Sequence, residues 1–167
     1  MIDSTDRSFK NVSQSVAGFL GADTVTYISL GRTGPRMEIG LVSCTKSKRE
    51  QAEKPADLYM ESAFFRKARK YAEANHDSWY ILSAKHHLLD PDGPPIEPYN
   101  ETLSGAAVDR KRDWAQTVYE QLQERVLLTE NNRFVFHAGR DYYDQLLPLL
   151  DDTNVEIATP TDGLQFG

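Results

Sequence analysis

Short apolar runs alternate with longer amphipathic segments along most of the chain. The runs are rich in branched and aromatic residues, as buried strands are, and they cover residues 37–42, 79–82, 133–137 and 155–158. The segments between them carry apolar residues three or four positions apart, which predicts helices at residues 62–74, 107–128 and 141–150. The clearest stripe, in the second helix, consists of Trp114, Val118, Leu122 and Val126.

Strands that alternate with helices predict an α/β fold with a mainly parallel sheet. Because right-handed crossovers place helices on both faces of such a sheet, we expect a three-layer sandwich around about four to five strands. Residues 37–167 are expected to form this single domain. Residues 1–36 are interpreted as an N-terminal appendage, in which residues 24–30 have the β-branched and aromatic content of an added edge strand.

The stretch 79–100, WYILSAKHHLLDPDGPPIEPYN, organises the candidate chemistry. Its strand gives way to a cluster of proton-carrying side chains and then to a proline-rich loop that is too stiff to continue as strand or helix. In a parallel sheet the strand ends meet at one edge, where open α/β proteins bind their ligands. Four loops are therefore predicted to surround one crevice, at residues 43–48, 83–100, 137–143 and 160–163.

Four residues of these loops are candidate catalytic groups: Lys85, His86, Asn100 and His137. A histidine can exchange protons near neutral pH, and a lysine beside a buried strand end can hold an anion or lower the pKa of a neighbour. His137 can stabilise charge on a leaving group, although a core histidine bonded to the backbone has the same sequence signature. Asn100 follows Pro98 on a stiff base, which suits it to orient water or to bind a heterocycle.

Eight further residues are candidate ligand-binding groups: Ser43, Lys46, Lys48, Asp57, Tyr59, Tyr99, Arg140 and Asp162. The 43–48 loop lacks the glycines of a nucleotide-triphosphate site, but its hydroxyls and lysines can hold one phosphate or a nucleic-acid backbone. Tyr99 either stacks on a flat heterocycle or caps the core. Asp57 is either a helix cap or a group that reaches into the crevice.

Composition narrows the class of protein. The 167 residues carry a formal charge of −6, so no global basic field indicates a tight nucleic-acid binder. A local basic strip can still be formed by Lys46, Lys48, Arg49 and Lys54. The single cysteine, Cys44, excludes an intrachain disulfide framework and is interpreted as a small buried hydrophobe rather than a nucleophile.

Metal and membrane functions are not expected from the sequence. The histidines at 86, 87 and 137 lack a tight ligand spacing, so no metal site is predicted. No apolar run approaches the ~20 residues of a membrane span, and no signal-peptide core follows Met1. We therefore expect a cytoplasmic protein without a membrane partner.

The motifs together resemble a family of small, largely uncharacterised domains. They stand here as SCTKSK from Ser43, PADLY from Pro55, LSAKHHLL from Leu82, PYN from Pro98 and HAG from His137. The resemblance covers residues 39–163. Two positions depart from the family pattern, since His87 stands where the pattern has Gly and Asn100 where it has Asp. The second departure leaves an Asp-dependent mechanism without its carboxylate at that position.

This family is similar, more remotely, to the uracil-DNA-glycosylase-like fold, to a domain of archaeosine synthases and to phage-defence glycosylases that remove modified bases. The resemblance implies cleavage or exchange at an N-glycosidic bond. We expect an enzyme that processes a base in nucleic acid, a modified base included, with the base flipped out and stacked on Tyr99. Asn100 would then orient or activate water, and His86 or His137 would stabilise the departing base.

In this hypothesis Lys46, Lys85 and Arg140 hold the flanking phosphates. The expected partner is a nucleic acid, with DNA favoured, or a nucleotide, and no cofactor is required. Two alternatives stay open: a non-catalytic nucleotide or nucleic-acid binding module, and a hydrolase of free nucleosides or nucleotides. Steep salt dependence of binding without turnover would favour the first of them.

Overall fold

The computed structural model describes residues 37–125, 128 and 131–159. The predicted N-terminal appendage of residues 1–36, with its strand at 24–30, lies outside the described residues. So does the predicted loop at 160–163, with Asp162.

The described residues form one mixed sheet of five strands. The strands are β1 (Met37–Ser43), β2 (Ser78–Ser83), β3 (His87–Leu89), β4 (Asn132–His137) and β5 (Glu156–Ala158). Their order across the sheet is β3-β2-β1-β4-β5, and every neighbouring pair is parallel except β2 and β3. The α/β class and the mainly parallel sheet predicted from the sequence are confirmed.

Five helices connect these strands within the described residues: α1 (Pro55–Leu58), α2 (Ala63–Asn75), α3 (Val108–Glu124), α4 (Arg140–Tyr143) and α5 (Leu147–Leu150). The helix predicted at 62–74 is α2, for which Ser62 is the N-cap and accepts a hydrogen bond from the amide of Phe65. The helix predicted at 107–128 is α3, and it ends four residues earlier, at Glu124. Three residues of its predicted stripe are buried, and Val126 lies outside the described residues.

The single helix predicted at 141–150 is wrong. The structure has two short helices, α4 and α5, with a turn at residues 144–146 between them. Pro148 stands in the first turn of α5, where it has no amide hydrogen to donate to the preceding turn and its ring would clash with the carbonyl of Asp144 in a continuous helix. The apolar pattern alone could not reveal this break.

Strand β3 was not predicted. Residues 87–89 fall inside the segment interpreted as a loop, but they pair antiparallel with β2, with Ser83 opposite His87 and Ile81 opposite Leu89. A turn at residues 84–86 reverses the chain, and His87 continues it with a φ of 67°. A three-residue strand is too short to give a periodic signal.

The strand order reverses at β1. From β1 the chain moves to β2 on one side, and it later returns to β4 on the other side. The connections that leave the carboxyl ends of β1 and β4 therefore diverge and leave a crevice between them. This is the place in the fold where a ligand site is expected.

Gly40 lies in the middle of β1 against the imidazole of His76, which follows α2. A Cβ atom at residue 40 would lie 2.5 Å from Cδ2 of His76 and 3.2 Å from its Nε2. The side chain of His76 is 1% exposed, and both of its ring nitrogens are hydrogen-bonded, one to Glu38 and the other to His137. The histidine therefore occupies the space that a side chain at residue 40 would need.

We predict that Gly40→Ala lowers the free energy of unfolding by on the order of 1–3 kcal/mol, because the added methyl group must displace a ring that is held at both nitrogens. Urea denaturation measures the change. The matched control is Gly139→Ala, since a Cβ there finds no atom within 4 Å and its φ of −77° suits any residue. A Gly40→Ala protein as stable as the control would contradict this packing.

We predict that His87→Gly raises the free energy of unfolding by about 0.5–1 kcal/mol, since glycine adopts a positive φ without the steric cost of a Cβ. The control is His87→Ala, which removes the imidazole and keeps the Cβ. If both variants gain stability equally in thermal denaturation, the imidazole and not the backbone conformation is responsible.

Candidate functional site

A cleft of about 570 Å³ lies at the carboxyl edge of the sheet. Three segments line it: Cys44, Thr45, Lys46 and Lys48 after β1, then Asn100, Glu101, Thr102 and Ser104 before α3, and Tyr142 in α4. Because α4 follows β4, the cleft lies where the connections of β1 and β4 diverge. Three predicted site residues therefore line one cleft: Lys46, Lys48 and Asn100.

Lys48 is the most constrained cation of the cleft. Its Nζ donates to the carbonyl of Thr45 at 2.8 Å and lies 4.4 Å from the centre of the Tyr99 ring. Burial lowers the pKa of this amine, while the nearby Cys44 sulfur and Glu101 carboxylate oppose the shift. Lys46, by contrast, is exposed. The cleft thus has one fixed cation in its wall and one solvated cation at its rim.

A buried hydroxyl cluster, formed by Tyr59, Ser83 and Tyr99, lies beneath Lys48. The Tyr99 hydroxyl is 2.7 Å from Ser83 Oγ and 2.6 Å from the Tyr59 hydroxyl. Ser83 Oγ accepts from the amides of His86 at 2.9 Å and Lys85 at 3.3 Å. Since a serine hydroxyl has two acceptor positions and one proton, it donates to Tyr99, and Tyr99 donates to Tyr59.

Tyr99 belongs to the core and does not offer a free face to a ligand. Its side chain is 7% exposed, Lys48 covers the ring, and the edges of His86 and Tyr59 pack against it. Burial raises the pKa values of Tyr59 and Tyr99 above the ordinary range, so both phenols stay protonated. A base could stack on Tyr99 only after Lys48 had moved away.

Cys44 is buried, as predicted, but it also lines the cleft. Its Sγ accepts a hydrogen bond from the amide of Ala84 at 3.4 Å and lies 3.3 Å from the Tyr142 hydroxyl. The thiol therefore connects the end of β1, the turn after β2 and α4.

Lys85 and His86, in the turn after β2, lie beside the cleft and do not line it. Lys85 is exposed, and its backbone amide, not its ammonium group, is bound to Ser83. His86 is partly buried with its ring edge-on to Tyr99. Burial and then the positive charge of Lys85 lower the pKa of His86, and Glu101 partly opposes this. The neutral form of His86 therefore predominates near pH 7.

His137 lies in a separate buried network and does not line the cleft. Its Nε2 is 2.7 Å from Nε2 of His76, whose Nδ1 is 2.8 Å from Glu38 Oε1, and Arg133 donates to the other oxygen of Glu38 at 2.6 Å. Burial acts to raise the pKa of Glu38, but the hydrogen bonds and charges of His76 and Arg133 together outweigh it, so the pKa is lowered. Tyr71 packs edge-on against both imidazoles.

This network places a guanidinium, a carboxylate and two imidazoles in one chain of hydrogen bonds. The Glu38 carboxylate accepts from Nδ1–H of His76. One of the two facing Nε2 atoms of His76 and His137 donates to the other. Burial, and next the charge of His76, lower the pKa of His137 to about 4, with Glu38 opposing. Of the two interpretations open from the sequence, the buried position agrees with that of a core histidine.

Several other predicted binding residues lie elsewhere. Asp57 is not a helix cap, because α1 begins after Lys54 without a side-chain cap, and its carboxylate instead accepts from Arg69 at 3.1 Å. Arg140 is exposed and paired with Asp144 at 3.3 Å. Ser43 is buried at the end of β1.

The cleft also contains residues that the sequence prediction missed. Glu101, Thr102 and Ser104 lie beyond the end of the predicted 83–100 loop, and Thr45 and Tyr142 lie in predicted crevice loops but were not singled out as candidates. Glu101 follows Asn100 directly, so a wider window around the predicted loop end would have included it. His76 was also missed, because it precedes a strand and its partner lies 61 residues away.

No helix in the described part of the chain is long and apolar enough to span a bilayer. Among residues 37–125, 128 and 131–159, no three His, Cys, Asp or Glu side chains are grouped so that they could hold a metal ion.

We predict that the protein loses stability as the pH falls from about 6.5 to about 4. In this range His137 takes up a proton in the unfolded chain. In the folded chain it does not, because its pKa is lowered there. The loss should be on the order of 1–3 kcal/mol and is measured by urea denaturation at several pH values. The groups that face this ring are His76, Glu38 and Tyr71, with Arg133 behind Glu38.

His137→Asn should flatten this pH dependence, whatever its effect on stability at pH 7. The quantity to compare is the slope between pH 4 and 6.5 and not the absolute stability. An unchanged slope in the variant would contradict the assignment to His137.

The comparisons with known proteins identify a family and no activity. No curated protein and no solved structure matches the chain. A family described as a family of unknown function, DUF6884, matches residues 39–167, which is most of the chain. The predicted resemblance to an uncharacterised domain family is thereby confirmed, while its remote similarity to glycosylases stays a prediction. The chain belongs to the DUF6884 family of unknown function.

Proposed function

We propose that this protein is a nucleic-acid base-processing enzyme that cleaves an N-glycosidic bond, with a modified base in DNA as the favoured substrate. The observation that carries the proposal is the cleft at the reversal of strand order, because it combines cations, an amide, hydroxyls and a carboxylate at the ligand-binding position of open α/β sheets. The remote resemblance of this family to base-removing enzymes, an analogy at the level of the fold, favours the same chemistry.

The size of the cleft supports a small planar ligand. Small-molecule sites are typically clefts of about 300–1,000 Å³, and this one has about 570 Å³. That volume suits a base with its sugar and is too small for a folded duplex. A base in DNA would therefore have to leave the helix to reach it.

The charges of the cleft support a phosphate-bearing substrate in spite of the net charge of −6. Lys46 and Lys48 are the two cations of the lining. Their attraction for a backbone is local, and the net negative charge of the chain disfavours indiscriminate binding. In the proposal Asn100 reads the edge of the base, while Lys85 and His86 lie at the rim for the flanking nucleotide.

Two further predictions from the sequence remain part of this proposal. Right-handed crossovers on both sides of β1 would place helices on both faces of the sheet and complete a three-layer sandwich. The expected location of the protein is the cytoplasm. Neither part affects the chemistry at the cleft.

We predict that the purified protein releases a free base from at least one nucleic acid. The substrates are single- and double-stranded DNA and RNA oligonucleotides carrying uracil, hypoxanthine, 5-hydroxymethylcytosine or 8-oxoguanine, together with unmodified strands and free nucleosides. Mass spectrometry detects the released base.

Lys46→Ala should weaken binding of these strands, since it removes one phosphate contact. It should also reduce the slope of log K against log salt concentration by roughly one counterion.

The matched control is Lys70→Ala, which removes an exposed lysine of α2 that does not line the cleft. Binding with a steep salt dependence but no released base would overturn the enzyme in favour of a binding module. Release from free nucleosides alone would favour the nucleoside hydrolase. Equal binding by the Lys46 and Lys70 variants would contradict the assignment of the cleft as the nucleic-acid site.

A further inference from the structure

Glu101 is the carboxylate of the cleft lining. It follows Asn100 in the segment that leads to α3, and the cleft it faces also contains Lys46 and Lys48. The remaining lining groups are three hydroxyl side chains, one thiol, one phenol and the Asn100 amide. Of these, a carboxylate is the ordinary protein group for taking a proton from water near neutral pH.

Asn100 cannot perform that step. A carboxamide oxygen accepts hydrogen bonds, but it is not basic enough to remove a proton from water in the neutral range. The Tyr142 phenol is also unsuitable, because burial raises its pKa and keeps it protonated. Among the residues of the lining, the carboxylate of Glu101 is therefore the best proton acceptor.

The surroundings of Glu101 suit an active carboxylate. Burial lowers the pKa of Lys48 and the pKa of His86. The negative charge of Glu101 partly opposes both of these shifts. Glu101 thus lies within electrostatic range of a cation fixed in the cleft wall and of a neutral imidazole at its rim. Its side chain is exposed, so water and substrate can reach it.

We propose that Glu101 is the general base of the cleft and that it activates the water that attacks the anomeric carbon, an inference that rests on the function proposed above. Glu101 accepts a proton from water as the water oxygen forms a bond to C1′ with its electron pair. The C1′–N bond breaks, and its electron pair leaves with the base nitrogen, which takes up a proton from solvent. The products are the free base and a sugar with a hydroxyl at C1′, and Glu101 returns its proton to solvent.

The same carboxylate can stabilise the transition state. Cleavage of a glycosidic bond builds positive charge on the sugar ring, which a nearby carboxylate stabilises. Lys46 and Lys48 at the same time hold the negative phosphates and keep the sugar close to Glu101. Asn100 then orients the base, and the two neighbouring residues divide recognition and chemistry between them.

The test compares Glu101→Gln with wild type on the oligonucleotide from which wild type releases a base fastest. Glutamine keeps the size and the hydrogen-bonding oxygen and removes the proton acceptor. We expect the single-turnover rate of base release to fall by roughly 10²–10⁴-fold, while Kd, measured by fluorescence anisotropy, changes less than about threefold. The matched control is Glu124→Gln, an exposed carboxylate at the end of α3, which should keep both values.

The outcomes separate the two proposals. If wild type releases a base and Glu101→Gln does so within about threefold of its rate, Glu101 is not the general base and the proposed function stands. If wild type releases no base from any of the oligonucleotides or nucleosides, the proposed function fails and the role of Glu101 fails with it. A circular dichroism spectrum and melting temperature equal to wild type establish that Glu101→Gln is folded.

Discussion

One hydroxyl group, Ser83 Oγ, joins several segments that lie beneath and beside the cleft. It accepts from the amides of the turn after β2 and donates to Tyr99, which in turn donates to Tyr59 of the segment after α1. The carbonyl of the same serine accepts from the Trp114 indole at 2.8 Å, which attaches α3. The three hydroxyls, the Ser83 carbonyl and the Trp114 indole make buried hydrogen bonds, so each of these bonds avoids a desolvation cost of about 1–3 kcal/mol. The walls of the cleft are therefore held by polar contacts as well as by packing.

The second polar network, from Arg133 through Glu38 and His76 to His137, has a different position and a different consequence. It joins Glu38 and Arg133, near the amino ends of β1 and β4, through His76 at the end of α2 to His137 at the carboxyl end of β4. The ring of His76 also packs against Gly40. Buried polar groups of this kind specify one arrangement of strands, since any shift in register would leave them without partners. The protein thus keeps one network beneath its cleft and another within its sheet.

The sequence predicted the parts of the fold that carry a repeated physical signal. Buried parallel strands show as apolar runs, and α2 and α3 show as stripes, so their positions could be found within a few residues. Strand β3 has three residues and gave no such signal, and the break at Pro148 depends on one residue inside an otherwise helical pattern.

The candidate site was predicted in part for the same reason. Lys46, Lys48 and Asn100 follow from the rule that ligands bind at strand ends, because that rule concerns the backbone. The role of Tyr99 depends on which way a side chain points, and sequence patterns outside regular elements do not record this. Its ring turns inward because Ser83 and Tyr59 bind its hydroxyl.

The outer strands of the described sheet, β3 and β5, have three residues each, so they offer few unpaired backbone groups to another chain. Such short borders give a foreign strand little to pair with, which protects a sheet with a long apolar centre from edge-to-edge aggregation.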